Sequence, residues 1–210
     1  MTGTTRTLAV VSAGLSQPSA TRLLADRIGQ AVAERLRAGD DEVLIEVVEL
    51  RPLARDLADH LVTGFPSPGL EAALSTVTRA DALVAVTPVF SASYSGLFKS
   101  FFDVVEDGAL AGKPTVVAAT AGTARHSLVL DHALRPLFSY LRAVVVPTGV
   151  FAATEDFGDT SQNRLDERVA RAAAELVALL RGASASSPRV EEDDFLDVTP
   201  FEDLLRNDGG

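Results

Sequence analysis

The sequence predicts an α/β domain built on a five-stranded parallel sheet with helices on both faces. Three observations carry that reading. Apolar, β-branched runs alternate with amphipathic stretches at regular intervals, the pattern of repeated strand–helix–strand units. The runs are mostly continuous rather than alternating, as strands covered on both faces require. The 210 residues are 47% hydrophobic and 23% charged, enough to bury one full core with an appendage.

Strands are expected at 7–12, 43–50, 81–87, 115–120 and 143–148, with the spatial order 2-1-3-4-5. The first helix is expected over 20–38, where Leu23, Leu24, Ile28, Ala31, Val32 and Leu36 recur at three-and-four spacing before Gly39. Further helices are expected over 69–79, 96–106, 127–141 and 161–181. The stretch 52–68, punctuated by Pro52, Gly64, Pro66 and Pro68, reads as a short helix flanked by loop that covers part of a ligand site or of a neighbouring subunit.

Composition narrows the function. No cysteine is present, which excludes disulfides, thiolate metal sites and cysteine nucleophiles, so redox chemistry would need a bound cofactor. Three histidines leave little for a metal site. A net charge of −10 opposes nucleic acid and anionic membranes, both polyanions. No run of about 18 apolar residues and no charged-then-apolar leader is seen, and a cytoplasmic location is expected.

The domain is expected to span residues 1–182, and 183–210 to form an appendage. An Ala/Ser linker precedes the acidic run Glu191-Glu192-Asp193-Asp194. The stretch 199–205 then joins a cap, a first-turn proline and an apolar pair, reading either as a short helix that docks or as a frayed tail.

Three segments follow strands 1, 3 and 4, whose carboxyl ends flank the crevice where open α/β sheets bind ligands. The first is Ser12-Ala13-Gly14-Leu15-Ser16-Gln17-Pro18-Ser19-Ala20-Thr21. Its hydroxyls and the amides of a helix start form an anion site. The segment is neither a P-loop nor a dinucleotide fingerprint, so a mononucleotide phosphate is expected at Ser12, Ser16, Ser19 and Thr21, with Leu15 and Ala20 beside them. Ser19 also reads as a plain helix cap. The second segment is Thr87-Pro88-Val89-Phe90-Ser91-Ala92-Ser93-Tyr94-Ser95-Gly96, read as a strand ending at Thr-Pro, then a hydroxyl-rich loop with an aromatic face. The third is Thr120-Ala121-Gly122-Thr123-Ala124-Arg125-His126, where Gly122 lets backbone approach a ligand closely.

Together these loops resemble those of the NADPH-dependent FMN reductases, a flavodoxin-like family, over roughly residues 8–149. The third loop is similar to the family's Gly-Gly-x-x-x-His turn, with Ala121 for the first glycine. In the first loop Ser16 stands near where the family's Gly-Ser-x-Arg-x-x-Ser has arginine. The resemblance implies FMN and NADPH or NADH as cofactors. It assigns the flavin to Pro88, Val89, Phe90, Ser91, Tyr94, Ser95 and Gly96 on one side and Ala121, Gly122, Thr123, Arg125 and His126 on the other, with no catalytic side chain or metal. Arg125 reads as a solvated charge or a contact to the coenzyme's phosphate, and His126 as a surface cap or a ring-edge contact. Lys99 and Asp103, one helical turn apart, read as a solvated pair. The resemblance is nearest to reductases that supply reduced FMN to partner monooxygenases, and it implies a homodimer or homotetramer. A quinone, azo or metal-ion reductase with tightly held FMN and a flavodoxin-type electron carrier stay open.

Overall fold

A computed structural model describes residues 4–158 and 162–183 of the chain. The run Leu8-Ala9-Val10-Val11 forms the buried half of strand β1 (Thr5–Ser12), which lies second from one edge of a parallel sheet. Its neighbours are β2 (Glu42–Glu49) at the edge and β3 (Ala82–Phe90) inside, with Val10 opposite Val47 and Val84. Beyond β3 runs β5 (Pro114–Ala121), parallel and in register from Leu83 opposite Thr115 to Pro88 opposite Thr120.

Because side chains alternate across each strand, the sheet has two apolar faces and each demands a cover. On one, Leu8, Val10, Val84, Val86 and Val116 pack against α1 (Ala20–Arg37) and α6 (Gln162–Ala183) through Leu24, Ile28, Leu165 and Leu176. On the other, Ala9, Val11, Leu83, Ala85 and Val117 meet α3 (Pro68–Arg79), α4 (Gly96–Asp103) and α5 (Arg135–Tyr140). Phe98, Phe102 and Phe138 close this second core, with the Phe102 and Phe138 rings 4.9 Å apart at 72°. Each such buried side chain contributes about 1.5–3 kcal/mol. A further helix, α2 (Ala54–Thr63), follows a 3₁₀ turn at Arg51–Leu53 and ends at Gly64 with φ 75. The stretch expected to hold one short helix does so.

The α/β flavodoxin-like architecture is as expected, but the sheet has seven strands rather than five, with β2-β1-β3-β5 continued by a short strand at Val144–Val145 and two further strands off that path. One extra strand is β4 (Ser93–Tyr94), antiparallel to the end of β3. The other arises because the expected fifth strand is split. β6 (Val144–Val145) pairs with Pro114 and Thr115, and β7 (Val150–Ala153) pairs with 118–121. Pro147 lies in the break, where it has no ladder hydrogen bond to donate. Arg135 fills the gap, donating to the carbonyls of Val146 (3.0 Å) and Pro147, while Glu175 accepts from the amide and hydroxyl of Thr148, each at 2.7 Å.

The helix expected over 127–141 is also divided, into a π-helical turn (Leu130–Leu134) and α5, and a separate 3₁₀ turn (Ala124–His126) precedes it. Pro136 cannot donate back to the previous turn, and Arg135 N–H reaches Leu130, five residues back. Among the described residues no helix is long and apolar enough to cross a membrane. The appendage expected over 183–210, with its linker, acidic run and tail helix, lies outside the described residues except for Ala183, which belongs to α6, and so does Ser161 at the expected start of α6.

Candidate functional site at the carboxyl edge of the sheet

Chain geometry at the end of β1 is set by small groups. Ala13 N–H donates to the Val86 carbonyl at 3.0 Å, tying the loop to β3. Ser19 caps α1, its hydroxyl accepting from Arg22 N–H at 3.2 Å. It can do so because residue 14 is glycine: a Cβ there would lie 2.0 Å from the Ser19 hydroxyl. Ser12 and Thr21 are buried, and Thr21 Oγ1 lies 2.8 Å from Thr120 Oγ1 on β5. Leu15, Ser16 and Ala20 are exposed. Of the hydroxyls expected at the phosphate, Ser16 faces solvent, Ser19 serves the helix, and Thr21 bonds across to the third loop's strand.

The second segment departs from expectation. β3 does not stop at Thr87 but continues through Pro88 to Phe90, then folds back in a two-residue hairpin with Val89 opposite Tyr94 and Phe90 opposite Ser93. Pro88 is tolerated because β1 has already ended at Ser12, opposite Val86, leaving this part of β3 with one parallel neighbour. Ser91 and Ala92 form the turn with φ 49 and 64, the left-handed values that match hairpin twist. The hairpin is fastened beneath by buried Thr87, whose hydroxyl accepts from Ser95 N–H at 3.0 Å, while Ser95 caps α4 through Phe98 N–H. Phe90 is exposed at the tip, and Tyr94 is half-buried with its ring 6.0 Å from Phe98.

After β5, Ala121 is half-buried and Gly122, Thr123, Arg125 and His126 are exposed, the last two in the 3₁₀ turn. A Cβ added at Gly122 or Gly96 would meet nothing within 4 Å, so open space stands over both loops. Since β1, β3 and β5 are adjacent, the three segments share one edge. Exposed amides, hydroxyls and one half-buried aromatic ring around that space suit a planar ligand with an anionic tail. Lys99 and Asp103 form the expected exposed ion pair, and the hydrogen bond to Asp103 raises the lysine's pKa.

Sequence reasoning missed the charged wall beside the first loop. Arg22, in the first turn of α1, bonds Asp26 (2.8 Å) and Glu49 at the end of β2. The bond to Asp26, then that to Glu49, raises the pKa of the guanidinium above its ordinary value. The only sequence signal is Arg22 standing three residues past the cap. Its partner at 49 becomes visible once β1 and β2 are known to pair with Ser12 opposite Glu49.

Residues 6–158 match the family model described as NADPH-dependent FMN reductase. The chain is 41% identical over 175 residues to an NADH-dependent FMN reductase, SfnE, of Pseudomonas putida, a match covering 82% of this chain and 91% of that one. It is 36% identical to an FMN reductase (NADPH) of Pseudomonas aeruginosa, covering 83% and 92%. Among solved structures, an oxidoreductase from Corynebacterium diphtheriae superposes with a TM-score of 0.82 at 54% identity, covering 85% of this chain and 98% of that one. With such matches across the three loops and the sheet that carries them, the chain belongs to the NADPH-dependent FMN reductase family.

Proposed function

We propose that this protein is an NAD(P)H:FMN oxidoreductase whose flavin lies across the carboxyl edge of β1, β3 and β5. The observation that carries the reading is the convergence of three loops on that edge in a chain of this family. In the proposal Ser12, Ser16, Ser19 and Thr21, with the amides around Leu15 and Ala20, take the phosphate. The hairpin from Pro88 to Gly96, with Phe90 and Tyr94, takes one side of the ring, and 121–126 takes the pyrimidine side. Bound FMN supplies a hydride acceptor at N5. The chain's residues hold it, exclude water from one face, and set amides of Gly122 and Thr123 where negative charge develops, as preorganised dipoles do in oxyanion holes. Arg125, exposed and with no ion pair among the described residues, contacts the coenzyme's phosphate.

The proposal extends to one reductase domain over residues 1–182 with an appended tail. It also extends to a cytoplasmic homodimer or homotetramer that hands reduced FMN to a partner monooxygenase. The cysteine-free composition suits a reducing compartment.

Titrating the purified protein with NADPH and NADH, with and without free FMN, and following flavin absorbance tests the activity. Bleaching of the flavin with turnover of added FMN is expected. A flavin that stays oxidised under both coenzymes would assign the protein to electron carriage instead.

A further inference from the structure

We infer that Arg51 supplies the cationic contact to the phosphate monoester of FMN in this chain. The inference rests on the flavin-reductase reading above.

The loop that would receive the phosphate contains no cation: residues 12–21 are hydroxyl, amide and apolar side chains with one proline. Beside it lies a cavity of about 300 Å³ whose wall includes Ser12, Ser16, Ser19, Arg22, Glu49 and Arg51. Of the two guanidiniums, Arg22 is committed to Asp26 and Glu49, and that trio carries a net charge of −1. Arg51 is exposed, and while its backbone carbonyl accepts from Ala54 N–H, its guanidinium has no hydrogen bond or ion pair among the described residues. With it the wall is neutral. Without it a phosphate dianion would meet surplus carboxylate in a protein already at −10.

Its position is fixed by main chain rather than by chance. Leu50 N–H donates to the Ser12 carbonyl at 3.0 Å, so Arg51 starts one residue from a direct bond to the first residue of the phosphate loop. The 3₁₀ turn Arg51–Leu53 that follows, with Pro52 inside it, restricts the backbone there. A planar guanidinium matches two phosphate oxygens at once, which an ammonium does not.

The test compares FMN with riboflavin, which lacks only the phosphate, by flavin fluorescence quenching on the full chain. Arg51→Ala is expected to weaken FMN binding by about 10- to 100-fold and leave riboflavin within about twofold. Arg51→Lys should recover part of the loss, and Arg51→Glu should exceed the Ala variant. Melting temperature should be unchanged in all three, since the residue is exposed. Equal changes for both flavins, or none for either, would overturn the proposal. Ser16→Ala, measured alongside, separates the two levels. If Ser16→Ala lowers the FMN-to-riboflavin preference while Arg51→Ala does not, the loop binds phosphate without Arg51; if neither does, the phosphate lies elsewhere. Steady-state kinetics separate the other source of a phosphate monoester. A raised KM for NADPH but not NADH, with FMN affinity intact, would give Arg51 to the coenzyme's 2′-phosphate and overturn its assignment to FMN.

Discussion

Thr21 Oγ1 and Thr120 Oγ1 lie 2.8 Å apart, a buried hydroxyl pair that joins the first turn of α1 to the carboxyl end of β5. It couples the loop after β1, at the start of α1, to the strand that leads into Gly122. Replacing either by Val keeps the shape but leaves the other hydroxyl buried without that partner, at a cost of about 1–3 kcal/mol. The double variant should be more stable than the sum of the two losses, and denaturant unfolding of all four proteins measures the difference. Strict additivity would mean the pair does not interact.

Gly122→Val should separate binding from folding. A side chain there meets no protein atom within 4 Å, so the melting temperature should hold while flavin affinity and the rate of flavin reduction both fall. Wild-type affinity and rate would remove this loop from the site.

The hairpin turn is a place to gain stability. Ser91 and Ala92 both sit at positive φ, where an L-residue other than Gly or Asn pays about 1–2 kcal/mol. Substituting the pair by Asn-Gly, the dipeptide that such turns favour, should raise the unfolding free energy by about 1 kcal/mol. A lower melting temperature would show that the loop is held by its side chains instead.

Lys113 ties the start of β5 to the end of α3, donating to the carbonyls of Thr78 at 3.1 Å and of Ala80. Burial pushes its amine below the ordinary lysine value of 10.5, opposed by the nearby Asp81 carboxylate. The unfolded chain therefore holds that proton more tightly, and the residue's contribution to stability rises with pH between the folded value and 10.5. Lys113→Met should cost about 1–2 kcal/mol near neutrality as two carbonyls lose a donor. The gap to wild type should widen as pH climbs toward 10.5. A gap that stays flat or narrows would contradict the direction of the shift.

The central strands and the long first and last helices were legible because their signals are periodic and uninterrupted. Val84 and Val116 announce buried strands, and Leu24, Ile28 and Val32 announce one face of α1. What escaped were the places where proline changes meaning with context. Pro88 reads as a strand end, yet it is accommodated where β1 has already stopped. Pro147 sits inside what reads as one strand, and the second half at Val150–Ala153 appears only because Arg135 and Glu175 satisfy the broken stretch. Pro136 likewise hides a π turn within an apparently regular helix. At the candidate site the shared edge of the segments after β1, β3 and β5 was legible from the strand order, but the Arg22–Glu49 bridge was not. It depends on strand register, which no local pattern encodes.

Strand β2 ends the sheet, and it carries Glu42, Glu46 and Glu49. Glu42 and Glu46 share one face of that strand while Glu49 lies on the other, bound to Arg22, so a second β2 laid alongside would bring like charges together on the first face, where they are destabilising. Charge on that rim thus works against growth of the sheet from this edge, as a fence rather than a lid.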